Sequence, residues 1–482
     1  MRIKNYSKQA FIVGLLMPVL LCSCASYNTR VADYYSSLQN GQYAKALHLL
    51  EKNKLLKKER NKLLYLLEKG NLFHLMQSYD SSNVCFNTAD YFIETTRKSL
   101  GDVSKSYLLN PMMQTYLGES FERLMIHYYK SLNYLALNKT DDAIVEARRI
   151  TLSNNALSDQ QTNKKKYNKD AFATNLQGML YELNGDINNA FIAYRNAADI
   201  YLANGNSYYG VAMPNQLKQD VLRTASQMGF DNEVQRYERL LNTTLNSTKT
   251  DGGSLIVFVE KGTAPVKKEQ NFTLTQNKNG INGYYYFDEF GNQVNVPFDY
   301  GYYSLSHRNN NALQDFRIFR IAIPYYELTY TNKMAVGIMV QQKTYTTETA
   351  QDFNTLAVKV LKERFLTEMA NAIARQMTKR LTEYAAQKGT ESASKSNSKE
   401  TDEKKKERKA KSDGEIAGLV MNLINNATEK ADTRNWQSLP AYIDYIRIPL
   451  QKGENQISIL GNAPQSFTVN GNGSLQIMSI KK

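Results

Sequence analysis

From about residue 28 to 245, apolar side chains recur at the three- and four-residue spacing of amphipathic helices, and Pro interrupts only at Pro111 and Pro214. The pattern predicts an all-helical region. Within it a short motif returns: NGQYAKALHLL at 40–50, NKTDDAIVEAR at 138–148 and NGDINNAFIAY at 184–194. Each places Gly or Asn at a helix-ending turn and Ala five residues later, matching Gly41 with Ala46, Asn138 with Ala143 and Gly185 with Ala190. A helix precedes each turn. A weaker copy, SYDSSNVCFNTADYFIE, puts Asp80 at the turn and Cys85 at the small position. One helix pair cannot bury its own apolar face, so the pairs are expected to stack into a curved array.

Near residue 245 the period changes. The Thr/Ser/Asn/Gly stretch at 246–254 reads as a linker, and SLIVFVEKG after it reads as a strand closed by a Gly turn. GINGYYYFDEFGNQVNVPF carries Asn-Gly and Gly-Asn turn signals between aromatic runs, as a hairpin does. FRIFRIAIPYYELTY alternates, and Pro324 ends that strand or confines it to an edge. MAVGIMVQQKTY supplies one more strand, and a helix is expected over 351–387, where Leu361, Phe365, Met369, Ile373, Met377 and Leu381 recur every four residues. Residues 389–415 are charged and lack apolar side chains larger than Ala, which predicts a disordered loop. The chain resumes as a helix, IAGLVMNLINNATEKAD, followed by YIDYIRIPL and a hairpin series ENQISILG, QSFTVNG and SLQIMSIKK. The fold class is therefore α+β multidomain: helical over 24–245, then one α+β domain over 255–482 interrupted by the charged loop.

The N-terminus changes the picture most. Arg2, Lys4 and Lys8 precede an apolar run of 12 residues from Ala10 to Leu21, too short to span a bilayer. Leu21-Cys22-Ser23-Cys24 resembles the lipobox of bacterial lipoproteins, with small Ser23 at the cleavage position. Residues 1–23 are then a signal peptide, and Cys24 is the lipidated new N-terminus. Ala25 and Ser26 rather than Asp follow it, which by the same resemblance favours the outer membrane. Cys85 is left as the one free thiol, so no internal disulfide forms, and its apolar context suits a small core residue. The net charge of +14 falls to +11 without the signal peptide. Eight Lys/Arg lie between Tyr43 and Gly70 and a second cluster is NKKKYNK at 163–169. On an exported, anchored chain these suit solvated helix faces or anionic headgroups rather than nucleic acid.

The helix pairs resemble tetratricopeptide repeats, although successive turns lie 39, 58 and 47 residues apart. A plain helical bundle is the other reading. FVEKGTAPVKKE at 258–269, FRIAIPYYE at 319–327 and ADTRNWQSLPAYIDYIRIPLQKGEN at 431–455 together resemble one bacterial family. Its members are outer-membrane lipoproteins of uncharacterised activity, with a tetratricopeptide-like first half and an α+β second half. They are associated by gene neighbourhood with lipoproteins that resemble penicillin-binding-protein activators and curli-channel proteins. The resemblance implies a role in envelope assembly.

Catalytic patterns are sparse. His48, His74, His127 and His307 show no metal-ligand spacing, and no nucleophile elbow or phosphate-cradling Gly-rich loop occurs. Two stretches remain as interaction or structural motifs. In EKGTAPVKKE, Lys261, Gly262, Pro265 and Lys267 form either a solvated turn or, with Lys268, an anion contact. In ADTRNWQSLP, Trp436 (the single Trp) is either an anchor on a binding surface or a wedge packing sheet against helices, with Asp432 capping, Arg434 paired and Pro440 opening the next strand. The expected function is non-enzymatic: an adaptor for envelope proteins that holds its partner in the concave helical face and binds no cofactor, metal or nucleic acid. The alternatives are an accessory subunit of a curli-like channel or synthase-activator complex, and a cryptic envelope hydrolase.

Overall fold

The computed structural model describes residues 26–99, 110–159, 167–246, 251–276, 283–287, 293–297, 318–379, 429–461 and 464–482. Cys24, the loop at 389–415 and most of the helix expected at 416–432 lie outside the described residues.

Among the described residues ten α-helices precede the main sheets: α1 Tyr27–Gln39, α2 Tyr43–Lys52, α3 Lys62–Leu75, α4 Tyr79–Ser99, α5 Ser120–Ala136, α6 Thr140–Asp159, α7 Ala171–Leu183, α8 Ile187–Leu202, α9 Asn215–Gln227 and α10 Asp231–Leu241. They stack as five consecutive pairs. A small ribbon, β1 Ser207–Tyr208 and β2 Val211–Ala212, separates α8 from α9. Caps set several starts: Ser26, Asp170 and Asp186 accept a backbone N–H of the first turn of α1, α7 and α8. Between the two helices of each pair the chain reverses through one left-handed residue: Gly41 (φ 69°), Gln77 (58°), Asn138 (57°), Gly185 (77°) and Gly229 (70°). Five residues beyond the first four of these lie Ala46, Ser82, Ala143 and Ala190, all fully buried. The second pair therefore turns at Gln77, not Asp80, and its small residue is Ser82 rather than Cys85. The polar side chains of Gln77 and Ser82 hid this from the sequence. Ser82 fits because its hydroxyl donates to the Gly70 carbonyl at 2.7 Å.

Seven residues before two of these turns, Gly70 and Gly178 let an aromatic ring lie on the helix backbone. A Cβ on Gly178 would meet the Tyr194 ring at 2.5 Å, and one on Gly70 would meet Phe86 at 2.8 Å. Tyr194 is wholly buried with its hydroxyl bonded to Glu182 at 2.8 Å, so it cannot swing aside. Gly178→Ala is expected to cost about 1–3 kcal/mol in denaturant unfolding, despite the better helix propensity of Ala.

Among the described residues the strands that follow form three four-stranded sheets. The first has the order β10-β11-β3-β14, from β10 Glu348–Asp352, β11 Tyr442–Pro449, β3 Ser254–Lys261 and β14 Leu475–Lys481. The second, β13-β12-β8-β9, comprises β13 Gln465–Gly471, β12 Gly453–Ile459, β8 Gly337–Val340 and β9 Lys343–Thr346. The third, β6-β5-β4-β7, comprises β6 Gln293–Pro297, β5 Gly283–Phe287, β4 Val266–Gln276 and β7 Ile318–Glu327. Pro324 sits in β7, which is an edge strand, as its missing N–H requires.

Three expectations are corrected. The last three strands are not a hairpin series: β12 and β13 pair antiparallel, but β14 leaves them and joins β3 in parallel. MAVGIMVQQKTY is a hairpin, β8 and β9, turning through Gln341 (φ 49°) and Gln342 (φ 68°). The helix expected from 351 starts only after β10, as α11 Phe353–Glu363 capped by Asp352, and breaks at Arg364 before resuming over 365–379.

Strand β3 is buried along nearly its whole length, and its period-two alternation separates two cores. Leu255, Val257 and Val259 meet Ile338, Val340, Ile457 and Ile459 of the second sheet. Ile256 and Phe258 point the other way, into a core shared with the helices and including Trp436, Leu439, Ile443 and Tyr445. The result is helices, sheet and sheet in layers. The face of the array expected to be open for a partner is covered by the chain itself. Odd-numbered helices supply that face: Phe172 of α7 packs on Phe258, and Tyr128 and Tyr129 of α5 donate to Glu260 at 3.0 and 3.2 Å.

Candidate functional site

The two motifs singled out in the sequence meet at one buried junction. Backbone bonds pair them: Ala264 N–H donates to the Leu439 carbonyl at 2.6 Å, and Ala441 N–H donates to the Lys261 carbonyl at 2.8 Å. Gly262 adopts φ 63° between them, where a Cβ would strike Thr331. Asn435 fastens a third point, donating to the Pro265 carbonyl at 2.9 Å while its side-chain oxygen accepts from Lys267 N–H at 3.2 Å. Pro440 lies between the two carbonyl-bonded residues and is itself buried.

Residues 431–441 run across the inner face of the array as a strap. Arg434 is buried there with every guanidinium donor engaged. Nε and Nη2 hold Asp432 at 2.8 and 2.7 Å, Nη2 also reaches the Pro111 carbonyl at 3.0 Å, and Nη1 reaches Asn61 and the Gln114 carbonyl at 2.8 and 2.9 Å. Its plane lies over the Tyr116 ring at 5.4 Å. Trp436 has no exposed surface and packs against the stacked pair Phe86 and Tyr129, each 5.8 Å away, with its indole N–H on Ser438 at 2.8 Å. Two buried helix carboxylates hold the strap's backbone: Glu122 accepts from Trp436 N–H at 2.7 Å, and Glu68 from Gln437 N–H at 3.1 Å. Glu68 also accepts the hydroxyls of Tyr34 and Tyr35 at 2.9 and 2.7 Å. Burial pushes the Glu68 carboxyl up to about 7, against the pull of its Ser438, Tyr35 and Tyr34 hydrogen bonds.

Ion pairs lock the two halves around this strap. Glu119, the first residue of the α5 capping box, binds Lys267 at 2.7 Å and Arg364 at 2.6 Å. Burial alone would raise Glu119, but these cations outweigh it and hold the carboxyl well below the usual range. The same contact fixes Arg364 where the helix after β10 breaks. Lys261 pairs with Asp444 at 2.6 Å, and Arg447 spans Glu182 of α7 and Asp220 of α9 at 2.6 and 3.2 Å. Lys261 and Lys267 are thus already paired and buried, which leaves neither for a free anion. Beside the junction, a polar cleft of about 300 Å³ has Glu119, Lys267, Arg364 and Asp432 among its walls.

On the outer side of the array, α4, α5 and α6 enclose a furrow of about 390 Å³ that no sequence spacing revealed. His127 Nδ1 lies 2.8 Å from Glu146, and its Nε2 lies 3.2 Å from the Ser153 hydroxyl. The residues are 19 and 26 positions apart and join only because α6 folds back on α5. The order hydroxyl, imidazole, carboxylate is that of a nucleophilic triad. Two features set it apart. Lys130 takes the other Glu146 oxygen at 2.8 Å, and Ser153 sits within α6, whose backbone N–H groups are spent on helix bonds rather than on an oxyanion.

Cys85 is buried and burial pushes its thiol up, so it is a poor nucleophile. Among the described residues no His, Cys, Asp and Glu cluster is placed to hold a metal ion, and no helix is long and apolar enough to cross a membrane. No family model, curated protein or solved structure matches the chain.

Proposed function

We propose that the chain is a non-enzymatic lipoprotein of the cell envelope, tethered through Cys24 at the outer membrane, facing the periplasm, and acting as a scaffold for envelope proteins. Its helix pairs are diverged tetratricopeptide-like repeats. The shared turn register supports this, with small Gly70, Ser131 and Gly178 seven residues before a turn and Ala46, Ser82, Ala143 and Ala190 five after. The partner surface is moved from the inner face, which the strap and sheet fill, to the outer one. The observation that carries this is a pair of exposed apolar stripes. Val84 and Tyr91 on α4, and Val145 and Leu152 on α6, are each seven residues apart and so stand on one side of their helices. An accessory role in a secretion-channel or synthase-activator complex is one form of this reading, and the family resemblance favours it.

A photoreactive side chain at Tyr91 or Leu152 is expected to capture an envelope protein in intact cells, and one at buried Tyr128 to capture none. Cys24→Ser should leave unlipidated precursor, read by mass spectrometry, and reduce capture through loss of local concentration. The His127 furrow favours the runner-up, an acyl hydrolase. Absence of crosslinks, together with ester turnover by the purified protein that Ser153→Ala abolishes, would overturn the scaffold in favour of that enzyme.

A further inference from the structure

The loop between β7 and β8 is built unlike the rest of the surface. It is held at two points: the Thr329 hydroxyl donates to the Thr263 carbonyl at 2.5 Å, and Lys261 Nζ donates to the Met334 carbonyl at 3.1 Å. Lys333 reaches back to Asp352 at 2.9 Å. Val336 enters the core between the sheets, yet the apolar side chains of 328–334 stay outside it. Leu328 is 58 % exposed, Met334 74 % and Tyr330 completely so. A pinned loop that presents Leu, Tyr and Met to the outside is costly in water and suited to an interface.

Its position in the fold identifies that interface. Helix α1 lies along the same strand ends. Asn28 donates to the Lys267 carbonyl at 3.0 Å, and Gln39 at the other end of α1 donates to Thr263 at 3.2 Å. Lys267 is paired with Tyr326 across the β4–β7 ladder, so Leu328 is two residues beyond the strand position that Asn28 touches, about 7 Å along the chain. Cys24 precedes Asn28 by four residues, which span at most about 14 Å. Thr329 shares Thr263 with Gln39, so the loop and the expected anchor stand at opposite ends of α1, about 16 Å apart along its axis, and both meet one bilayer where α1 lies along the membrane plane. A basic cluster stands at the Asn28 end of α1, beside the expected anchor: Asn53 donates to the Arg30 carbonyl at 3.0 Å, and Arg30, Lys52, Lys54, Lys57 and Lys58 are exposed around it.

We propose that residues 328–334 form a lipid-contacting finger, seating Leu328, Tyr330 and Met334 at the headgroup–acyl boundary while the Arg30 and Lys52–Lys58 cluster meets anionic headgroups. The occupant of this surface is the bilayer that carries the chain's own anchor. A single lipid anchor leaves a protein free to swivel; a second, apolar contact fixes which face looks outward. The inference rests on the tether reading for the nearness of the membrane, but the contact is made by side chains that exist without it.

The test uses the full mature chain in vesicles of phosphatidylethanolamine and phosphatidylglycerol, labelled with an environment-sensitive fluorophore at Tyr330→Cys or, as control, at exposed Leu240→Cys. Lipid-borne quenchers are expected to quench the label at 330 at least several-fold more than the label at 240. Leu328→Asp with Met334→Asp should remove the difference while leaving circular dichroism unchanged. Equal quenching at the two positions on vesicle-bound protein overturns the finger and leaves the tether standing. Quenching at 330 in a chain whose Cys24 peptide carries no lipid supports the finger and overturns the tether. Protein that neither binds vesicles nor shows quenching overturns both.

Discussion

Trp436→Ala is expected to lower the stability of the protein by about 3–5 kcal/mol and to do so in both halves at once. The side chain has no exposed surface and touches rings from two different helices, Phe86 of α4 and Tyr129 of α5, while its own segment belongs to the run leading into β11. Removing it opens a cavity at the place where strap, sheet and helices share one core, and takes away the indole N–H bond to the Ser438 hydroxyl, which keeps its bond to Glu68. Chemical denaturation followed by circular dichroism should show one transition moved to lower denaturant. Tyr330→Ala, an exposed change, should shift it by no more than about 0.5 kcal/mol. Two resolved transitions, with only the sheet-rich one displaced, would mean that the halves fold separately and that the strap is a surface contact.

Much of the secondary structure was legible because it depends on local period. The β-rich run SLIVFVEKG and the alternation of YIDYIRIPL mark β3 and β11, and Gly or Asn stands at four of the five helix reversals, three of which the repeated motif marks. The misses share a cause. Gln77 and the Gln341-Gln342 pair take left-handed conformations for which Gln carries no sequence signal, so a helix turn and a hairpin were misplaced. β14 looks like the next strand of a hairpin, and only the burial of β3 on both faces draws it into parallel pairing there. The junction was half legible. Lys261, Gly262, Pro265, Lys267, Asp432, Arg434, Trp436 and Pro440 were all picked out, and the structure brings both stretches together. Their helix partners Glu68, Glu119 and Glu122 were invisible, because a Glu on a helix reads as solvated until the fold buries it. Likewise His127, Glu146 and Ser153 carry no spacing signal, since contacts between neighbouring helices have no fixed interval.

Those buried carboxylates give the second large effect, a loss of stability as pH rises from about 5 to 8. Glu68 is raised to about 7 in the folded chain and returns to about 4.3 when unfolded. Between those values the native state holds a proton that the unfolded state has released, so stability falls with increasing pH. The contribution is fully present below about 4.3 and lost above 7, and a gap of this size corresponds to about 3–4 kcal/mol. Glu122 is raised as well, by burial first and by neighbouring Glu119 second, and works in the same direction. Glu119 and Glu146 oppose it in a different window. Burial pushes both up, but Arg364 and Lys267 outweigh it at Glu119, and His127 and Lys130 at Glu146, leaving both lowered. Their stabilisation is present above about 4.5 and fades only as pH falls below it. Denaturant midpoints should therefore be highest near pH 5, falling on both sides. Glu68→Gln removes the group that titrates between 5 and 7, so its stability should change with pH by about 3 kcal/mol less than that of the native sequence over this range. Since Glu68 receives the Gln437 N–H, the strap should loosen along the same curve, giving faster amide exchange at 436–438 at pH 8 after correction for intrinsic rates. A native stability that is flat or rising from pH 5 to 8, with Glu68→Gln running parallel to it, would show that Glu68 is ionised throughout and that the strap is held by a charge rather than by a proton.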